Sequence, residues 1–246
     1  MHIDEKLCTG CGKCVPYCPV GAIVRRKQDK AKGVKAHGEI VFDDCVECYV
    51  CLRSGVCPEQ AIKESELPYP RILRRAFSDP IYVHKGTDVP GRGTEEMKTN
   101  DVTGRFRDGF IGLGMEFGRP GTGTRLGETE KAIKRLIGMG VELEPLNPLT
   151  QLIADAKTGD LKPEVRNERV LSAIVEAIIP LEKVQTALAE VRKIAAEINT
   201  VFSLDLICKV APDRKVPLLA ELEKAGFAWS QNGKANLGLG RPLFKA

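Results

Sequence analysis

Hydrophobic and polar residues alternate most regularly in the second half of the chain. Arg107, Gly109, Ile111, Leu113, Met115 and Phe117 fall two apart, which puts them on one face of a strand. The run G-R-P-G-T-G-T-R-L-G, residues 118–127, should then turn the chain. In E-T-E-K-A-I-K-R-L-I-G, the apolar Ala132, Ile133, Leu136 and Ile137 recur at helical spacing. A short helix is expected at N-P-L-T-Q-L-I-A-D, with Asn147 as its cap and Pro148 at its first position. V-L-S-A-I-V-E-A-I-I is expected to be a strand. P-L-E-K-V-Q-T-A-L-A-E-V-R-K-I-A-A-E-I carries an amphipathic stripe of Leu181, Val184, Leu188, Val191, Ile194, Ala195 and Ile198. T-V-F-S-L-D-L-I-C-K-V returns as a strand, and V-P-L-L-A-E-L-E-K-A-G as a last helix. A tight β-α-β unit with a right-handed crossover is expected over 170–210. The whole of 105–246 should form an α/β sandwich of the βαββαβ type.

The first half lacks this rhythm. Ile23 and Val24, and then residues 40–42, are short enough for two strands. The basic stretch R-R-K-Q-D-K-A-K-G-V-K, residues 25–35, would be their hairpin tip: a solvated loop or a docking surface for an acidic patch. Residues 67–104 hold four prolines and no sustained period, so an extended arm is expected there. Its Tyr69, Ile72, Leu73, Phe77, Ile81 and Tyr82 should bury against something.

Composition narrows the class. The chain has 246 residues, 43% apolar and 28% charged, enough for one large or two small soluble domains. A net charge of +4 is too small and too evenly spread to argue for nucleic acid. The sequence has no run of 18 apolar residues and no apolar leader beside Asp4 and Glu5. A cytoplasmic location with no direct membrane insertion is the expectation, and in that reducing compartment cysteines bind metals rather than pair.

Nine cysteines change the picture. C-T-G-C-G-K-C-V-P-Y-C-P spans 8–19, and C-V-E-C-Y-V-C-L-R-S-G-V-C-P spans 45–58. Thiolates suit zinc or iron–sulfur clusters, but structural zinc sites usually use two separated pairs. Three thiolates on one tight loop can wrap three corners of a cuboidal cluster, leaving the fourth to come from elsewhere. The phrases C-P-V-G-A-I and C-P-E-Q-A-I form an internal repeat. The ninth cysteine, Cys208, shares a strand face with Phe202, Leu204 and Leu206, where burial is expected.

Residues 1–66 thus resemble the bacterial ferredoxin family that carries two 4Fe–4S clusters. The resemblance implies that Cys8, Cys11, Cys14 and Cys57 hold one cluster, and Cys45, Cys48, Cys51 and Cys18 the other. The last gap of the second phrase is five residues rather than three, so the two clusters should differ in surroundings and potential. The fold class is then α+β: a two-cluster ferredoxin domain (1–66), an extended arm (67–104) and a ferredoxin-like α/β sandwich (105–246). With a cysteine for every corner, electron transfer is favoured over catalysis at iron. The expected role is to carry electrons within an oxidoreductase, in a hetero-oligomer with a larger redox protein, for which a flavoprotein is one candidate. A redox- or metabolite-sensing protein, and a self-contained flavin- or nucleotide-dependent reductase using the 118–127 turn, remain open. That turn matches neither the dinucleotide fingerprint nor the P-loop.

Overall fold

The computed structural model describes residues 1–31, 33–84, 89–90, 104–118 and 121–229. In the N-terminal part, strands β1 (His2–Ile3), β2 (Ile23–Arg26) and β3 (His37–Ile40) precede a one-turn helix, α1 (Val50–Arg53), and β4 (Ile62–Lys63). β1 pairs with β4 and β2 with β3, both antiparallel. The second strand lies earlier than expected, at 37–40, because Arg25 and Arg26 extend the hairpin ladder instead of forming its tip. Met1, Ala22, Ile23, Tyr49 and Ile62 form a small apolar core among the cysteines.

Residues 67–104 are not simply an arm. Helix α2 (Ile72–Ser78) lies there. Leu73, Ala76 and Phe77 recur at i, i+3 and i+4, and they pack into the C-terminal core. Arg71, Arg74 and Arg75 occupy the other side. The flanking prolines masked this short amphipathic turn: Pro68 and Pro70 precede it and do not interrupt it. Tyr69 and Ile81, expected to bury, are exposed. β5 (Val83–His84) and β6 (Val89–Pro90) pair beyond it.

The C-terminal part is built on one four-stranded sheet. Its elements are β7 (Phe110–Phe117), β8 (Thr124–Arg125), α3 (Leu126–Gly138), β9 (Glu142–Leu143), β10 (Ile153–Asp155), β11 (Asp160–Leu161), β12 (Arg169–Val170), β13 (Ala173–Pro180), α4 (Val184–Glu197), β14 (Phe202–Cys208) and α5 (Pro217–Lys224). The sheet order is β14–β7–β13–β9, with every neighbouring pair antiparallel. Ile111, Leu113, Met115 and Phe117 are fully buried in a core shared with Ala132, Ile133 and Leu136 of α3 and Val184, Val191 and Ile194 of α4. Burying each large side chain stabilises the fold by about 1.5–3 kcal/mol.

Three local expectations change. Arg107 and Gly109 fall before the strand. The helix expected after Asn147 is only a 3-10 turn, Thr150–Leu152, although the Asn147 side chain does accept a bond from the Leu149 N–H at 2.8 Å. The β-α-β unit of β13, α4 and β14 is split, because β7 inserts between its two strands. Among the described residues no helix is long and apolar enough to cross a membrane.

Candidate iron–sulfur site

The cysteines gather around two enclosed cavities. One is lined by Cys8, Cys11, Cys14 and Cys57, with Gly12, Gly38 and Ala61. The other is lined by Cys18, Cys45, Cys48 and Cys51, with Ala22, Ile23, Val46 and Tyr49. Each cavity thus takes three sulfurs from one phrase and one from the other. The donor chemistry fits a 4Fe–4S group in each: four soft thiols, apolar walls and backbone N–H groups aimed at sulfur. Among the described residues no three His, Cys, Asp or Glu are gathered as a single-ion site would be.

The internal repeat is visible in the backbone. The Ala22 N–H donates to Cys18 Sγ at 3.0 Å, and the Ala61 N–H donates to Cys57 Sγ at 3.2 Å. Gly10 and Gly38 each donate an N–H to Cys8 Sγ, at 3.4 and 3.3 Å. Three matched positions of the repeat need a left-handed backbone. In the first phrase they are Gly10, Gly12 and Gly21, with φ of 69°, 77° and 67°. In the second they are Glu47, Tyr49 and Gln60, with φ of 53°, 62° and 49°. A side chain in this conformation costs roughly 1–2 kcal/mol per residue. The requirement is the same in both halves; only the first meets it with glycine.

The second loop is held from outside. Glu47 is fully buried; its carboxylate accepts from Arg71 Nη2 at 2.6 Å and from the Met1 ammonium at 2.7 Å. Arg74 Nη1 donates to the Cys45 carbonyl at 2.8 Å and to the Asp43 carbonyl at 3.0 Å. Arg75 stacks on the Tyr49 ring, 4.1 Å from its centroid. Arg53 donates to the Cys48 carbonyl at 2.6 Å and to Asp79 at 2.8 Å. Arg53 lies within the phrase itself; Arg71, Arg74 and Arg75 were missed by sequence reasoning because the linker carried no sustained period. The signal available was the i, i+3, i+4 spacing of Arg71, Arg74 and Arg75.

The two sites differ in exposure. The first has one exposed cysteine, Cys11, and one buried, Cys14, whereas the second has two buried, Cys45 and Cys48, and none exposed. Burial pushes the Cys45 thiol up to about 11, with the Glu47 carboxylate adding to it. Burial pushes Cys51 up to about 12, with the neighbouring Cys48 and Cys45 thiols contributing. Cys11 goes the other way, lowered chiefly by the Lys13 N–H. Iron must therefore displace protons more strongly held at the second site than at Cys11.

Around the first site stand exposed cations. Lys13 lies within the cysteine loop, and the Arg25 side chain passes over Gly12. Lys35 Nζ donates to the Lys6 carbonyl at 3.2 Å. Among the acidic residues nearby, Asp4 accepts the Lys6 N–H at 2.9 Å and Glu59 lines the cavity. Two glycines of the 118–127 turn are closely packed: a side chain at Gly118 would meet the Leu171 carbonyl at 2.7 Å, and one at Gly123 the Val170 carbonyl at 3.0 Å. Arg119 of that turn, and the G-L-G-R-P echo at 238–242, lie outside the described residues. Cys208 is half-buried and packs on the C-terminal core, away from both cavities.

Comparison with known proteins bears on the same segment. A family model described as a 4Fe-4S binding domain matches residues 1–24. A ferredoxin-like protein in the vnf region of Azotobacter vinelandii is 43% identical over 63 residues, covering 24% of this chain and 82% of that protein. Ferredoxin-1 of Rhodobacter capsulatus is 46% identical over 48 residues, 20% of this chain and 62% of that protein. One subunit of the H(2):CoB-CoM heterodisulfide,ferredoxin reductase of Methanothermobacter marburgensis is 34% identical over 131 residues, 47% of this chain. The chain spans only 18% of the length of that reductase polypeptide. No solved structure matches. Through its N-terminal segment, the chain belongs to the bacterial-type ferredoxin family.

Proposed function

We propose that the chain is an electron-transfer subunit that relays single electrons between a carrier and a larger catalytic subunit, within an oxidoreductase complex in the cytoplasm. The observation that carries this reading is the pair of four-cysteine cavities, each filled crosswise from both phrases. The ligand sets are Cys8, Cys11, Cys14 with Cys57, and Cys45, Cys48, Cys51 with Cys18. Bound there, each 4Fe–4S cluster supplies a one-electron couple. The exposed Cys11 edge, rimmed by Lys6, Lys13, Arg25 and Lys35, is where a carrier with an acidic surface comes closest. The buried second site lies on the side of the C-terminal unit.

Residues 105–246 are read as a ferredoxin-like α/β sandwich. The support is its strand order, in which last, first, third and second strand lie side by side. Its role here is to seat the relay against the partner, for which a flavoprotein is the candidate. The likeness to a heterodisulfide reductase subunit supports membership in a multi-subunit oxidoreductase. Anaerobic purification from the native host is the test. About eight irons per chain and a second, stoichiometric redox polypeptide are expected. A solitary chain with iron, passing electrons to no co-purified partner, would sink the subunit reading.

A further inference from the structure

This inference rests on the two cavities being cluster sites. We propose that helix α2 is the holder of the second cysteine loop, so that the cluster of Cys45, Cys48, Cys51 and Cys18 is kept only while α2 is seated on the C-terminal core. Arg71, Arg74 and Arg75 are then positioning residues: they touch the loop, not the cluster.

Three observations converge. First, the second loop adopts left-handed backbone at Glu47 and Tyr49, where the first loop has Gly10 and Gly12. Nothing intrinsic to Glu or Tyr favours that conformation, so the surroundings must impose it. Second, both strained side chains are gripped from α2 or the residue before it. Arg71 takes the Glu47 carboxylate, and Arg75 covers the Tyr49 ring and reaches its hydroxyl at 3.3 Å. Arg74 fixes the Cys45 carbonyl between them. Third, α2 is anchored on its other side. Phe77 and Ala76 belong to the C-terminal core, Ser78 Oγ accepts the Leu171 N–H at 2.8 Å, and Arg74 also pairs with Glu168. Arg169 bridges to Asp44, just before Cys45, at 2.7 Å. The first loop receives no such clasp from the C-terminal unit among the described contacts.

The C-terminal unit therefore does more than dock a partner. It supplies through α2 the restraint that the second loop needs where the first relies on the backbone freedom of glycine. A movement that lifts α2 would release the second cluster's loop and leave the first untouched, which ties relay competence to the state of the C-terminal unit.

The experiment uses the full chain, purified anaerobically, with iron content, the electron paramagnetic signals of the reduced protein and the rate of iron loss to a chelator. Wild type with about eight irons per chain sets the baseline; a value near four or zero would refute the two-cluster reading itself, independently of α2. In Arg74→Gln, iron is expected to fall by about half, with one cluster's signal retained. Arg75→Gln, milder because Arg75 is partly exposed, should lose the second cluster several-fold faster than the first, and Arg75→Lys should restore most of the difference. Arg135→Gln breaks ion pairs to Glu190 and Glu197 within the C-terminal unit and serves as the control for general destabilisation. If both α2 variants keep full iron, or lose the two clusters in the proportion shown by the Arg135 control, the holder role is overturned.

Discussion

The two cysteine phrases make one kind of loop by two different means. Residues 8–23 turn on Gly10, Gly12 and Gly21, expose Cys11, and take no side-chain clasp at these turns among the described contacts. Residues 45–62 make the matching turns with Glu47, Tyr49 and Gln60, and the first two of these are held by arginines from outside the phrase. The difference teaches that a repeat can keep its geometry while exchanging local backbone freedom for tertiary restraint. The first solution is local to the backbone of its own turns. The second makes one site dependent on the packing of another part of the molecule.

The sharpest way to break the comparison is to exchange single cysteines across it. Cys57→Ser should remove the cluster held by the first loop, and Cys18→Ser the one held by the second, each lowering iron by about half. Paramagnetic spectra of the two variants should retain complementary signals. If each substitution removes the cluster of its own phrase, the crossed assignment fails.

Thiol reactivity in the iron-free chain is the next largest contrast. The thiolate is the nucleophile, so a thiol pushed up to about 12 has about a thousandfold less of it than an unperturbed one. Cys51 should alkylate slowest and Cys11 fastest, as read by mass spectrometry. The sign is fixed by burial favouring the neutral thiol. The rate at Cys51 should climb with pH until close to 12, while that at Cys11 levels off earlier. Equal rates at the two would remove the electrostatic half of the comparison.

Charge at Glu47 separates the loops further. Glu47→Gln leaves Arg71 and the Met1 ammonium buried without their counter-charge, and breaking such a pair costs about 3–5 kcal/mol. Chemical denaturation should register it, with the second cluster lost first. The counterpart in the first loop is Gly10→Ala. A methyl group there would come 2.4 Å from the Ala36 carbonyl with φ held at 69°. A loss of about 1–3 kcal/mol is expected, falling on the first cluster. The smallest effect is the inequality of the two potentials. Burial at the second site disfavours an added electron, while the nearby guanidinium groups favour it, partly offset by Glu47 and Asp79. An anaerobic redox titration should resolve two steps; a single shared midpoint would blunt the comparison.

Much of the site was legible because its signals are local. Cysteine spacing, the prolines after Cys18 and Cys57, and the paired C-P-x-x-A-I phrases are carried by consecutive residues. The strands at 110–117 and 173–180 and the helices at 126–138 and 184–197 were equally open to reading, since each keeps its apolar period over many residues. Helix α2 was not. At seven residues between prolines it has too few periods to stand out, and its stability comes from Phe77 on one core and from arginines on another.

The sequence alone determined the cysteine loops, the glycine turns of the first and the main alternation of strand and helix, because each depends on neighbours within a few residues. Tertiary structure decided the rest. It set β7 between β13 and β14, and it brought a sulfur from each phrase to the other's cavity. It also turned a linker into the clasp that holds Glu47 and Tyr49 in a conformation their own chemistry disfavours. Those are contacts between residues far apart in the chain, and only the packed chain brings them together.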